Sequence, residues 1–232
     1  MTDLASPADP LPHIRSAAEF ASDFGVTPET IARLEVYAAT LRHWQARINL
    51  VAPSTLDDAW HRHFADSAQI ASLAPATASS WVDLGSGAGF PGLVCAILRA
   101  GRAAPRPRFT LVESDQRKCA FLREVVRQTS LATLIPVDIL CARIEESATR
   151  AKLTSADVIS ARALAPLPRL LELAAPLLGN ATTALFMKGR GAEDEVAEAQ
   201  RSWQFEYDVL ASRTEQQARI IRIHGSAVRA EG

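Results

Sequence analysis

The chain has little that would tie it to an oxidising or charged setting. Only three cysteines occur in 232 residues. Cys95, Cys119 and Cys141 are odd in number and lack any C-x-x-C spacing, which excludes a disulfide framework and a cysteine zinc site and points to a reducing cytosol. Net charge is nearly absent, with Lys+Arg 25 against Asp+Glu 26, so coating of nucleic acid by bulk positive charge is excluded and any such binding must come from a local patch. There is no clean apolar run of about 20 residues; the most apolar stretch, 161–187, is broken by Arg162, Arg169, Glu172 and prolines, so no membrane span is expected. Residues 1–12 hold Asp3, Asp9 and three prolines but no apolar h-region, so no secretory signal is expected.

Hydrophobic residues are not lacking. At 48% they suffice for a proper core in one large domain or a domain with a small appendage. Residues 1–24 read as a loosely held N-terminal arm, 25–75 as a helical segment packed on the core and 76–232 as the main domain. Thr27 and Pro28 start a helix whose apolar residues Ile31, Leu34, Tyr37, Ala38, Leu41, Trp44 and Ile48 recur at helical spacing. A second helical stretch is expected over 56–73. Beyond Pro75, short apolar runs alternate with helical ones, the pattern of a parallel sheet covered on both faces. Strands are expected at 81–84, 109–112, 134–137, 158–160, 181–187, 204–210 and 218–224. Helices between them are expected at 92–99, 116–130, 143–149, 167–178 and 192–201. The last two strands leave no room for a crossover helix and should form an antiparallel hairpin.

The most informative segment runs from Trp81 to Gly92, a strand entering a glycine turn and then a helix. Gly85, Gly87 and Gly89 let the backbone turn tightly and approach a nucleotide-like ligand. The pattern G-x-G-x-x-G occurs at 87–92 and admits a dinucleotide enzyme. Two features favour a sulfonium cofactor, S-adenosylmethionine. Asp83 lies two residues before the first glycine, and an acid just inside the strand suits a cationic amino-acid tail better than a pyrophosphate. Glu113, at the end of the second strand, can accept ribose hydroxyls in either case.

Six segments in order, Arg62-His63-Phe64-Ala65-Asp66-Ser67, the glycine turn from Asp83 to Gly92, Arg117-Lys118-x-x-Phe121-Leu122, Arg143-Ile144-Glu145-Glu146, Ser160-Ala161-Arg162-Ala163 and Lys188-Gly189, carry a closer likeness. The chain resembles the bacterial 16S ribosomal RNA guanine-N7 methyltransferases, the glucose-inhibited division protein B family, from about residue 26 to 224. The resemblance implies the class I S-adenosylmethionine-dependent methyltransferase fold, a Rossmann-like α/β domain with a mostly parallel seven-stranded sheet ending in an antiparallel hairpin, preceded by N-terminal helices. It implies cofactor contacts at Gly85, Phe90, Ile144, Glu145 and Arg162, beside Asp83, Gly87, Gly89 and Glu113 read from the turn. The implied substrate is one guanine, numbered 527 in the standard rRNA scheme, in 16S ribosomal RNA or the small ribosomal subunit. A monomer in the cytoplasm, with no metal and no membrane partner, is expected.

The residues themselves bear on the reaction. After the fourth strand an exocyclic-amine methyltransferase presents an Asp/Asn-Pro-Pro-aromatic element, whereas this chain reads Ser160-Ala161-Arg162-Ala163. Pyrimidine C5 chemistry needs a positioned thiolate, and neither Cys119 nor Cys141 follows a proline. Guanine N7 needs neither device, because its lone pair is already exposed and no proton must leave. Arg162 is therefore the candidate catalytic residue, anchoring cofactor or guanine, with a structural ion pair to Glu145 as the alternative. Arg62, His63, Arg117, Lys118, Arg123 and Lys188 are candidate RNA contacts, the middle three within a basic stretch from Arg99 to Arg127. His61 and His63 lack metal-ligand spacing. A small-molecule methyltransferase, a non-catalytic S-adenosylmethionine-binding ribosome-associated protein and an NAD enzyme stay open as alternatives.

Overall fold

The structure is a computed structural model that describes residues 9–10, 12–102, 105–153 and 156–230. Its sheet contains β1 (Ser80–Leu84), β2 (Arg108–Glu113), β3 (Val137–Cys141), β4 (Val158–Arg162), β5 (Thr183–Lys188), β6 (Trp203–Ala211) and β7 (Arg219–Arg229), in the spatial order β3-β2-β1-β4-β5-β7-β6. The first five strands are parallel, and β7 is antiparallel to both β5 and β6, as the hairpin reading requires. Successive side chains of a strand face opposite ways, and β1 shows the consequence. Trp81 joins a core formed with the N-terminal helices, while Val82 and Leu84 join the core on the other face.

The helices are α1 (Ala17–Phe24), α2 (Pro28–Gln45), α3 (Asp66–Leu73), α4 (Gly92–Ala100), α5 (Gln116–Gln128), α6 (Ser147–Arg150), α7 (Leu167–Ala174) and α8 (Ala192–Gln200). Thr27 caps α2 by accepting from Thr30 N, with Pro28 in the first turn, as read. Residues 17–24, expected to belong to a loose arm, instead form α1. Its cap is Ser16, it ends at Gly25 with φ 59°, and Phe20 and Ile14 are fully buried. The polar composition around the prolines conceals these two anchors. Residues 1–8 and 11 of that arm lie outside the described residues.

Three further differences have local causes. The stretch expected as one helix over 56–73 is a π-helical turn, Trp60–Ala65, running into α3. The wider turn buries Trp60, His61, His63 and Phe64 together, and such turns recur at functional sites. The third strand begins at Val137 rather than Leu134, because Leu131–Thr133 form a 3-10 turn and Pro136 precedes the strand. As an edge strand it is only half-buried, so its apolar signal is broken by Asp138. The helix expected over 143–149 shrinks to α6, since Glu146 is extended; this frees Arg143, Ile144 and Glu145 to line a cavity. The last strand also runs on to Arg229.

Phe20 stacks on Phe24 at 4.6 Å and lies 5.7 Å from Trp60. Phe20→Ala should therefore cost about 3–5 kcal/mol of stability, read as a fall in the urea midpoint; a surface arm would lose under about 0.5 kcal/mol.

Candidate active site

A cavity of about 630 Å³ opens at the carboxyl ends of β1 to β4. This is where the strand order reverses, the place where open α/β sheets bind ligands, and its size falls in the roughly 300–1,000 Å³ range of small-molecule sites. Gly85 and Gly87 adopt φ 66° and 54°, a region costly to residues with a Cβ. A Cβ on Gly85 would lie 2.5 Å from Leu164 Cδ1, whereas one on Gly87 would meet nothing closer than Gly85 O at 3.8 Å. Gly87 therefore turns bare backbone towards the cavity. Glu113 holds the turn in place: Oε2 accepts from Gly87 N and Oε1 from Asp115 N, both at 2.8 Å. Each carboxylate oxygen keeps a second lone pair, which suits two vicinal hydroxyls. Val112, Ile144 and Leu50 supply apolar walls, and Glu145 and Lys118 add polar ones. These residues fit S-adenosylmethionine, for which Glu113 would meet the ribose and the apolar walls the adenine.

The N-terminal helices brace the glycine turn from behind. Tyr37 on α2 donates its hydroxyl to Ala88 O in the glycine turn. Its ring stacks on Phe90 at 5.3 Å, and Phe64 meets Phe90 edge-on at 5.3 Å. Burial pushes the Tyr37 hydroxyl well above its ordinary pKa, which keeps it a neutral donor. Gly89 serves this packing rather than the ligand: at φ 90°, a Cβ there would lie 2.6 Å from the Tyr37 oxygen, and the residue does not line the cavity. In the sequence, Tyr37 is only one apolar position among several on its helix.

Asp83 is likewise displaced from its expected role. It is fully buried and lines no cavity. Its Oδ1 accepts from Ser160 Oγ at 2.6 Å, and Ser160 in turn accepts from Trp81 Nε1. Burial raises its pKa to about 6, against the lowering effect of the Ser160 and Ser86 bonds. The side chain alternates into the sheet beneath Gly92, whose Cβ would lie 2.6 Å from Oδ2, and it stands behind the cavity wall rather than on it.

Arg162, at the end of β4, is the junction of the site. Its Nη1 donates to Asp66 Oδ2 and to Arg62 O, both at 3.1 Å, and Nη2 donates to His63 Nδ1 at 2.7 Å. The guanidinium also stands 5.2 Å over the Phe90 ring. The structural partner is thus Asp66 and not Glu145, which lies 3.8 Å from Arg143 instead. Because a guanidinium can only donate, His63 Nδ1 must accept, so Nε2 carries the proton and donates to Thr55 Oγ1 at 2.8 Å. Burial, then Arg162 and Arg62, push the His63 pKa down to about 3. Beyond β4, Ala163 takes φ 51°, a strained turn of the kind that gathers at functional sites.

A second cavity, of about 570 Å³, shares the wall from Arg162 to Ala165 with the first. Arg62, His63 and Lys188 come together there. They are not three open cations: His63 is 6% exposed and neutral, Arg62 pairs with Glu215 at 2.8 Å, and Lys188 is nearly buried against Glu195 at 2.7 Å. Lys118 lines the first cavity instead, while Arg117 and Arg123 line neither. Arg117 is exposed beside Asp115. Of the basic stretch, Arg99 is buried, donating to the carbonyls of Ala74, Pro75 and Ala76. Arg108 and Arg127 are paired with Asp138 and Glu124, so the patch is weaker than its sequence count. Among the described residues no group of three or more His, Cys, Asp and Glu could hold a metal ion, and no helix is long and apolar enough to cross a membrane.

The strand order, the glycine turn and the strand-end acid define the class I S-adenosylmethionine-dependent methyltransferase fold. Solved structures with that fold include a methyltransferase from Geobacter sulfurreducens, with TM-score 0.55 and 14% identity over 94% of this chain and 100% of that one. Another is Aeropyrum pernix fibrillarin with bound S-adenosyl-L-methionine, with TM-score 0.52 and 16% identity over 69% and 76%. The chain belongs to the family described as rRNA small subunit methyltransferase G, whose profile matches residues 30–221. Relatives named ribosomal RNA small subunit methyltransferase G include one from Methylorubrum extorquens, 49% identical over 87% of this chain and 92% of its own. One from Rhodospirillum centenum is 48% identical over 95% of each.

Two outcomes follow from this geometry. Glu113→Gln places an amide N–H₂ against one of two backbone N–H groups, so S-adenosylmethionine affinity should fall by roughly 10²-fold, measured by calorimetry; unchanged affinity would remove Glu113 from the site. For His63, the unfolded chain takes up a proton below pH 6.5 that the folded chain refuses until about 3. Relative to His63→Gln, the wild type should therefore lose stability as pH falls through that window, by up to about 1.4 kcal/mol per unit. Parallel stability–pH curves for the two proteins would contradict the assignment.

Proposed function

We propose that this protein transfers a methyl group from S-adenosylmethionine to N7 of a guanine in 16S ribosomal RNA, the guanine numbered 527 in the standard scheme. The observation that carries the reading is the pair of cavities meeting at the segment from Arg162 to Ala165. One fits a nucleoside cofactor and the other is large enough for an extruded purine, so a shared wall brings donor and acceptor into contact. When bound, the cofactor supplies an electrophilic methyl carbon on a sulfonium, which the N7 lone pair takes as the carbon–sulfur pair returns to sulfur. No proton is released, and the site agrees: His63, the histidine lining the second cavity, is neutral, fully hydrogen-bonded and unable to accept one.

What the chain contributes is positioning and the exclusion of water. Gly85, Gly87 and Glu113 seat the nucleoside, and Ile144 closes over it. Arg162 has used three of the five N–H donors of a guanidinium on protein partners, leaving two for a ligand. Asp66 neutralises it, so the site as a whole is not strongly cationic when positive charge passes to the purine ring. The rRNA substrate supports a cytoplasmic location.

The reading is checked with labelled S-adenosylmethionine, small-subunit particles, naked 16S RNA and large-subunit RNA. 7-Methylguanosine confined to small-subunit RNA is expected, and Arg162→Ala should lower the rate by roughly 10²-fold or more. No incorporation into any RNA, with cofactor binding intact, would favour a small-molecule acceptor.

A further inference from the structure

The second cavity contains a pair that methyl transfer itself does not use. Lys188 ends β5, and its side chain is 8% exposed. The ammonium donates to Ala165 O at 2.5 Å and to Glu195 Oε2 at 2.7 Å, leaving one of its three protons. Glu195 stands in the first turn of α8, and the same Oε2 also accepts from Leu167 N at 2.6 Å. Its Oε1 has no hydrogen-bond partner among the described residues, and the side chain, 29% exposed, faces the cavity. A free N–H donor and a free carboxylate oxygen therefore stand side by side. The other acids are differently placed. Asp66 is occupied at both oxygens, by Thr214 and Gln69 on one and Arg162 on the other. Glu215 is 46% exposed at the rim, paired with Arg62.

The bases differ in what they would present to such a pair. Guanine offers an acceptor at O6 beside donors at N1–H and the 2-amine; adenine reverses the first two, with an amine at the 6-position and a lone pair at N1. N7 must face the wall shared with the cofactor cavity, which sets the neighbouring O6 near the floor. There β4 and β5 run side by side with Arg162 opposite Met187, and Lys188 is the next residue.

We propose that Lys188 and Glu195 read the Watson–Crick edge of the target purine, the ammonium donating to O6 and Glu195 Oε1 accepting from N1–H and the 2-amine. The inference rests on the purine methyl transfer proposed above and assigns its base specificity. Adenine would set an amine against an ammonium and a lone pair against a carboxylate. Sites that hydrogen-bond a base edge through partners of fixed direction can reject a mismatched one by up to roughly 10⁴–10⁵-fold.

The test uses small-subunit RNA carrying guanosine, inosine or 2,6-diaminopurine at the methylated position. All three keep N7; diaminopurine keeps the 2-amine but reverses the 6-position and N1. Wild-type protein should methylate guanosine and inosine within about tenfold of each other, and diaminopurine at least about 10³-fold more slowly. Glu195→Gln must keep its amide oxygen on the two donors, Leu167 N and Lys188, and so turns its N–H₂ into the cavity, where it matches diaminopurine N1. The variant should lose about 10²-fold in kcat/KM on guanosine and bring the diaminopurine ratio to within about tenfold, with the melting shift caused by S-adenosylmethionine unchanged. Equal wild-type rates on guanosine and diaminopurine would overturn the inference without any substitution, so the test does not depend on the variant folding. An unchanged ratio in Glu195→Gln would reduce Glu195 to a cap of α7 and also overturn it, while the methyltransferase reading stood. Failure of the wild type to methylate guanosine in any small-subunit RNA would overturn both.

Discussion

A guanidinium that is only 19% exposed needs its charge answered within the fold. Arg162 ends the central strand β4, but its hydrogen-bond partners among the described residues come from the segment between the first long helix and the sheet: Asp66, His63 and the carbonyl of Arg62. That requirement draws the N-terminal helices over the carboxyl ends of the strands. It also fixes the His63 tautomer, since one ring nitrogen must accept. Asp66 is itself held by Thr214 in the turn of the final hairpin and by Gln69, so one charge joins three parts of the chain.

The glycine turn is braced from the same side. Phe90 lies beneath the guanidinium and is packed on by Tyr37, His63 and Phe64. Tyr37 also hydrogen-bonds the turn itself through Ala88. The N-terminal helices are accordingly part of the site rather than a cover over a finished Rossmann-like unit. The acid under the turn, Asp83, acts with Ser160 and Trp81 as a buried polar link between β1 and β4.

Charge is spent mostly inside the molecule. Lys188, Arg99 and Arg162 each bond to protein carbonyls or carboxylates, and several exposed arginines have acidic neighbours. On the reading proposed above, RNA would be recognised by modest phosphate contacts together with shape and base-edge chemistry in the second cavity, in keeping with a formal charge of -1.

Local rules made much of this legible in the sequence. Apolar period and length announce β1, β2, β4 and β5, Thr27-Pro28 announces α2, and positive-φ glycines with a strand-end acid announce the nucleoside turn, because each signal involves neighbours along the chain. The edge strand β3 is less legible because half-burial weakens its period, and α1 because its two apolar anchors, Ile14 and Phe20, stand among prolines and polar residues. Tertiary structure alone decided who meets whom across the chain. The 96 positions between Asp66 and Arg162, the turning of Asp83 into the sheet and the meeting of Lys188 with Glu195 are set by sheet register and helix packing. A residue type states what a side chain can bond to; only the fold brings the partner within reach and removes the water that would otherwise take its place.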